Sequence, residues 1–397
     1  MLLTIVIFLI ILSILVLIHE AGHFLVAKFF NIKVEEFGYG LPPRAWGKKI
    51  GETLYSINWL PIGGFVKLFG EDEAGGGKLS GKTVEESVKG KDTSRAFFAR
   101  PVGQRAAVVV AGVVMNALLA IVIYYIFLSI SGFKTEIPLI TDHHFFGVEQ
   151  RNNFQIFVSG VAQNSPAEKA GLTSNSRIIS VNNRSVEGSD VKNLAFFSET
   201  IAKNKGKKVT LGWQNIETGK KITSEITPRI NPPKNEGALG IEFGFAHFAQ
   251  LEYKTTPQKI LSGITHPTNL MIYNMEVIAK LVSVSLKEQT AAPISEGVSG
   301  PVGILKVVGA IGHITDVKDR LMQYLNLAGL LSISLAFFNI LPIPALDGGR
   351  LFFILIEGVT RKKVNPKFEG YAHSIGMAAL VGLILVVTFK DIFQLFK

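Results

Sequence analysis

The chain has 397 residues, of which 48% are hydrophobic and only 18% charged, against about 25% charge in soluble domains. This shortage of polar surface excludes a disordered chain and argues against a simple soluble enzyme. The formal charge of +10 suits basic residues held at an anionic membrane face, and the absence of cysteine excludes disulfides and Cys-based zinc sites or nucleophiles.

Leu2 to Ile18 is an apolar run of 17 residues whose polar members are Thr4 and Ser13. No basic residue precedes it and no small-x-small cleavage site follows, so it reads as a retained span extended by Ala21 to Phe30 and not as a signal peptide. Residues 34 to 69 lack a helical period. Glu52 to Leu60 alternates at period two, Pro61 turns the chain, and Gly63-Gly64-Phe65-Val66 follows, a pattern of short strands in hairpins. Glu71 to Lys91 is a Gly-, Lys- and Glu-rich loop, and Arg95 to Arg105 reads as an interfacial segment with Phe97 and Phe98 on its apolar side.

A second apolar run, Val108 to Ile130, is interrupted by Asn116. Residues 154 to 230 form a small α+β pattern. It comprises a helix opened by Ser165-Pro166, a strand over Arg177 to Asn182, two further strands over Val209 to Trp213 and Lys221 to Ile226, and a boundary at Pro232-Pro233. Residues 256 to 288 read as helical. Leu325 to Leu346 and Ala372 to Phe389 are the third and fourth apolar runs. A helix crosses the hydrocarbon core with about 20 apolar residues, so four spans are expected.

The expected architecture is therefore an α-helical membrane protein with four transmembrane helices, a membrane-associated β-hairpin loop and one extracytoplasmic α+β domain. Its expected segments are span one with its motif (1–30), the hairpin region (31–105), span two (106–130), the α+β domain (154–230), a helical linker (256–320), span three (321–356) and span four (372–389). Residues 31 to 105 carry 12 Lys or Arg, and Arg361, Lys362, Lys363 and Lys367 sit between the last two spans. The positive-inside rule places both basic links in the cytoplasm, and the termini and the α+β domain outside.

His19-Glu20-Ala21-Gly22-His23 carries the sharpest chemical signal. His at i and i+4 share a helix face and can meet one zinc, while the Glu between them can reach a water on that metal without ligating it. The plain alternative, two His packed in an apolar helix, is expensive at the end of a membrane span. A catalytic zinc takes three protein ligands. Asp347 is the acidic residue of the third run and follows the helix-breaking Pro342 and Pro344; it reads either as the third ligand or as a border carboxylate reaching water. His143 and His144 read as solvated, and His247, His266, His313 and His373 have no partner at metal spacing. Nothing supports nucleic-acid binding.

At these motifs the chain resembles the site-2 protease family of intramembrane zinc metalloproteases, most closely the bacterial regulator-of-sigma-E type. The likeness is carried by His-Glu-x-x-His at 19 to 23 and by Asn339-x-x-Pro342-x-Pro344-x-Leu346-Asp347-Gly348. Phe37-Gly38, Leu60 to Val66, Gly70-Glu71-Asp72 and Ser299 to Ile304 add to it. The resemblance implies a Zn2+ cofactor held by His19, His23 and Asp347, with Glu20 as the catalytic base. It implies substrate contacts at Asn339 and at the hairpin residues Gly63, Gly64 and Phe65. It also implies a bacterial cytoplasmic membrane location, with the active site near the cytoplasmic side. The implied substrates are single-span membrane proteins, such as anti-sigma factors trimmed outside, together with remnant signal peptides.

The 154–230 module resembles a bacterial PDZ domain through Ser165-Pro166-Ala167, Ala170-Gly171-Leu172 and Ile178 to Asn182, and departs from it at Asn175-Ser176. One such module is evident where the sigma-E type often has two, so its expected role is to gate access more than to capture peptide ends. Asn116 is kept where the family often shows Ala-Gly-Pro-x-x-Asn, as a helix–helix hydrogen-bonding group or a structural residue. A non-catalytic PDZ-containing adaptor and a zinc carrier are the rival readings; neither needs Glu20 between two ligands.

Overall fold

The computed structural model describes residues 2–71, 93–188, 192–216, 219–234, 236–290, 299–362 and 364–393. The chain divides into two compact units, one of Met1–Phe127, His266–His313 and Lys318–Lys397, the other of Leu128–Thr265 and Ile314–Val317. Most of the expected loop Glu71 to Lys91 lies outside the described residues.

Four helices among the described residues are long and apolar enough to cross a membrane: Leu2–Phe29, Val102–Ile130, Val317–Ile340 and Lys367–Phe393. We call them spans one to four. Their side chains are apolar all round, as lipid requires. Only 11% of the apolar window of span one and 6% of that of span four is buried, so most of those side chains face outward. Span one stops where Asn31 takes a left-handed φ of 54° and the Ile32 N–H closes back on the Ala27 carbonyl at 2.9 Å. Spans one and two touch backbone to backbone: a Cβ on Gly22 would lie 2.4 Å from the Ala111 carbonyl oxygen.

Between these spans, β1 (Val34–Ile50) and β2 (Thr53–Leu68) make a folded-back sheet. Residues 36–39 pair with 54–57 on one side and with 64–67 on the other, while 44–50 pair with 53–58. Each long strand therefore bends and serves twice, near Gly40 (φ 80°) and Gly63 (φ 86°). Leu41, Trp46, Ile50, Ile57, Trp59 and Leu60 are exposed around it. Glu52 at the turn takes hydrogen bonds from Arg95 and Lys28, which hold its carboxyl down at about 2. The 95–105 stretch is shorter than expected as a separate element: only Phe97–Ala99 form a 3-10 turn, and span two already starts at Val102 because Pro101 suits a helix start.

Among the described residues, the second unit carries a seven-stranded antiparallel sheet: β3 (Lys134–Leu139), β4 (Glu149–Val161), β5 (Ser176–Val181), β6 (Arg184–Ser185), β7 (Val209–Asn215), β8 (Lys221–Ile226) and β9 (Ile241–Glu252). Its order is β3-β9-β4-β5-β7-β8, with β6 on β5. Helices Pro166–Lys169 and Lys192–Lys203 pack over Ile156, Ile178, Leu211 and Trp213. Ser165 caps the first helix by accepting the Glu168 N–H. The sheet extends beyond the 154–230 boundaries at both ends. β9 lies past Pro232-Pro233 and pairs with β4 along nearly its whole length; the proline pair sits in the connection between β8 and β9 and does not end the domain. His143 does not read as simply solvated, because its ring packs edge-on against Phe145.

The expected segment 321–356 is not one continuous helix. Span three stops at Ile340, and a separate helix, Asp347–Thr360, begins after six intervening residues. Pro342 and Pro344 lack the N–H that an uninterrupted helix needs. Three glycines let this turn pack closely against its neighbours. A Cβ on Gly348 would lie 2.0 Å from the Leu341 carbonyl oxygen, on Gly349 2.5 Å from that of Ile343, and on Gly376 of span four 2.4 Å from that of Pro344. His373 of span four also accepts the Ala345 N–H at 2.9 Å.

Candidate metal centre

The i, i+4 spacing sets His19 and His23 on one face of span one, with ring centroids 4.8 Å apart. The turn at 341–346 delivers Asp347 to the same point as the first residue of its helix. His19 Nε2 and His23 Nε2 are 3.2 Å apart, and Asp347 Oδ2 lies 3.0 Å from the first and 3.3 Å from the second. The His23 Nδ1 is 2.8 Å from the Val108 carbonyl, which can only accept, so Nδ1 carries the ring proton and Nε2 keeps its lone pair. Asp347 Oδ2 is buried without a hydrogen-bond donor of its own. Three lone-pair atoms thus converge on one point.

The donor set tests well against zinc. A tetrahedral ion held at about 2.0–2.1 Å by two imidazoles and a carboxylate spaces its donors about 3.3 Å apart, and the observed spacings are 3.0 to 3.3 Å. His19, His23 and Asp347 are also the group of potential metal-binding side chains found among the described residues, and Glu20 stands outside it.

A search of family models matches residues 7–383 to peptidase family M50. The chain belongs to that family. A protein named as a zinc metalloprotease from Clostridium acetobutylicum is 34% identical over 381 residues, 96% of this chain and 94% of its own. Another so named, from Rickettsia conorii, is 32% identical and aligned over 98% of both chains. The regulator of sigma-W protease RasP of Bacillus subtilis is 27% identical over 99% of both. This M50 chain is accordingly a zinc metallopeptidase, and its four apolar helices make it a multi-pass membrane protein.

The remaining residues singled out in the sequence of this peptidase fall in two places. Gly64 lies against span one, where a Cβ would meet Val16 Cγ1 at 3.0 Å and Glu20 Cγ at 3.1 Å. The strand 64–67 therefore runs beside the motif carboxylate. Phe65 turns its ring onto the Gly38 backbone, and Gly63 makes the left-handed bend before it. Asn339 sits on the last turn of span three, half-buried and outside the three-atom group.

Sequence reasoning missed several neighbours. Arg350, one turn after Asp347, forms a short ion pair with Glu71, just beyond β2. Gly112 of span two presses on the imidazoles: a Cβ there would lie 2.4 Å from His23 Nε2 and 2.8 Å from His19 Nε2. No local pattern announces a glycine that matters only to a facing helix. Gly112→Ala should force the two rings apart. Displacements near 1 Å at such a site cost about 10²-fold in rate, so a loss of at least about tenfold in both zinc occupancy and turnover is expected, measured as metal per chain and cleavage rate on folded protein.

Proposed function

We propose that this peptidase cuts the transmembrane segments of single-span membrane proteins, with zinc held by His19, His23 and Asp347. The observation that carries the reading is the convergence of those three donors at 3.0 to 3.3 Å beside the ends of two membrane-length helices. Bound there, zinc supplies a Lewis acid that activates water near neutral pH. Glu20, one residue from His19 and outside the trio, takes the proton of the attacking water and returns it to the leaving amine. A helix hides its amides, so the substrate must be extended before attack. The 64–67 strand, paired on one side with 36–39 and lying beside Glu20, offers an edge to which an extended segment adds. Gly63, Gly64 and Phe65 would shape that edge, and Asn339 would help hold the unwound segment.

The proposed setting is a bacterial cytoplasmic membrane, with the site near the cytoplasmic face and the termini and the sheet-rich unit outside. The sigma-W name of the Bacillus relative favours trimmed anti-sigma factors as the substrate class, with remnant signal peptides as a second. Reconstituted protein should hold close to one zinc per chain and cleave a model membrane helix. Metal-loaded protein that leaves every such helix intact would overturn the reading.

The sheet-rich unit resembles a PDZ domain and serves in this reading as a steric gate. At its departure from the PDZ pattern, Asn175 takes a φ of 63°, a conformation glycine tolerates and Asn adopts more readily than most residues. The altered turn therefore does not by itself disable the unit, and function must separate gating from capture. Removing residues 154–230 would leave β9 and β3 without β4, so the excision is made over 134–252 with the ends rejoined. A gate predicts that untrimmed substrates become cleavable while trimmed ones are cut at about the former rate. Capture of new carboxyl ends predicts slower cutting of trimmed substrates and no gain on untrimmed ones.

A further inference from the structure

Val108, Gly112 and Asn116 recur every four residues and share one face of span two. That face runs along His23 and His19, themselves four apart on span one. At one end the Val108 carbonyl takes the His23 Nδ1 proton. In the middle, Gly112 lets the two helices close onto both rings. At the other end the Asn116 amide reaches His19 Nδ1 at 3.3 Å. Asn116 is fully buried. Its backbone carbonyl accepts a hydrogen bond from Ser332 Oγ of span three at 2.7 Å, which fixes this turn of span two between its neighbours.

The amide atom drawn toward His19 is Nδ2, a donor, while Oδ1 is buried with no partner. The nitrogen and oxygen of an Asn amide exchange by a half-turn, and only the hydrogen-bond network tells them apart. His19 decides the matter. Its Nε2 faces His23 Nε2 and Asp347 Oδ2 and must offer a lone pair to any cation there, so its proton sits on Nδ1. A protonated Nδ1 needs an acceptor, and Oδ1 is the acceptor within reach.

We propose that Asn116 is a positioning residue whose amide oxygen accepts the His19 Nδ1 proton and locks the tautomer that turns Nε2 toward zinc. With the Val108 carbonyl at His23, span two then supplies one fixed acceptor for each imidazole, one carbonyl from the backbone and one from a side chain. Such outer partners set ring orientation and typically contribute about 10–100-fold in metal affinity. The inference rests on the reading of His19 as a zinc ligand.

Zinc affinity is measured by competition with a chelator for the full-length protein and for His19→Ala, Asn116→Asp and Asn116→Leu, with thermal melting as the check on folding. Asn116→Asp keeps an acceptor and discards the donor; Asn116→Leu keeps the bulk and discards both. The expected result is affinity within about threefold of the parent for Asn116→Asp and a loss of about 10–100-fold for Asn116→Leu. Cobalt-substituted protein should keep its visible ligand-field spectrum in the Asp variant and change it in the Leu variant. A parent-like affinity in folded Asn116→Leu, or a loss of tenfold or more in folded Asn116→Asp, overturns the proposal. If the Leu variant does not fold, the Asp variant alone decides by the same limits. Unchanged zinc binding in His19→Ala overturns it too, but by refuting the ligand reading on which it rests.

Discussion

Glu20→Gln is expected to keep its zinc and to lose turnover by at least about 10²-fold. The side chain lies one residue from His19 yet outside the three-atom group, so removing its charge takes no donor from the metal. Glutamine keeps the volume that packs against Gly64, where the Glu20 Cγ sits 3.1 Å from the Cβ position. What it cannot do is accept a proton from water and pass it on. The measurement pairs metal content with single-turnover cleavage of a model membrane helix. Parent-like turnover would remove Glu20 from the mechanism, and a loss of zinc in parallel would make it a ligand.

Asp347→Asn should show the complementary pattern. Oδ2 is the third corner of the group, 3.0 and 3.3 Å from the two imidazole nitrogens. An amide of the same shape leaves the tight turn over Gly348 and Gly349 undisturbed, but it removes the negative charge opposite a divalent cation. Zinc affinity should fall by at least about 10²-fold, the upper end of what loss of an outer-shell partner costs, and turnover should fall with it. Chelator competition on the two variants side by side separates the roles. Full zinc in Asp347→Asn would leave this carboxylate as a group at the membrane border, with water as its partner.

Both results depend on a site that the sequence outlines only in part. The His19–His23 spacing, the four apolar runs and the Pro342–Pro344 break are local features. A period of 3.6, a missing N–H and about 20 apolar residues act within one segment, whatever the rest of the chain does. For that reason the membrane class and the zinc motif were legible from the residues, and the two separated motifs were enough to suggest the family. β9 was legible in principle, since Ile241, Phe243, Phe245, Ala249 and Leu251 fall at alternate positions, but the prolines before it masked the continuity.

Tertiary structure alone decided the rest. Asp347 reaches the imidazoles because Gly348, Gly349 and Gly376 let a broken helix fold tightly between spans three and four. The 64–67 strand lies beside Glu20 because 36–39 pairs on both its edges, a register no alternation pattern states. Val108, Gly112 and Asn116 gain meaning only when span two lies against the zinc motif with Gly22 at the crossing. In a span apolar on every side, periodicity does not mark which face meets a neighbour. That choice is made by packing between helices, where small residues allow close approach and a few buried polar groups require a partner.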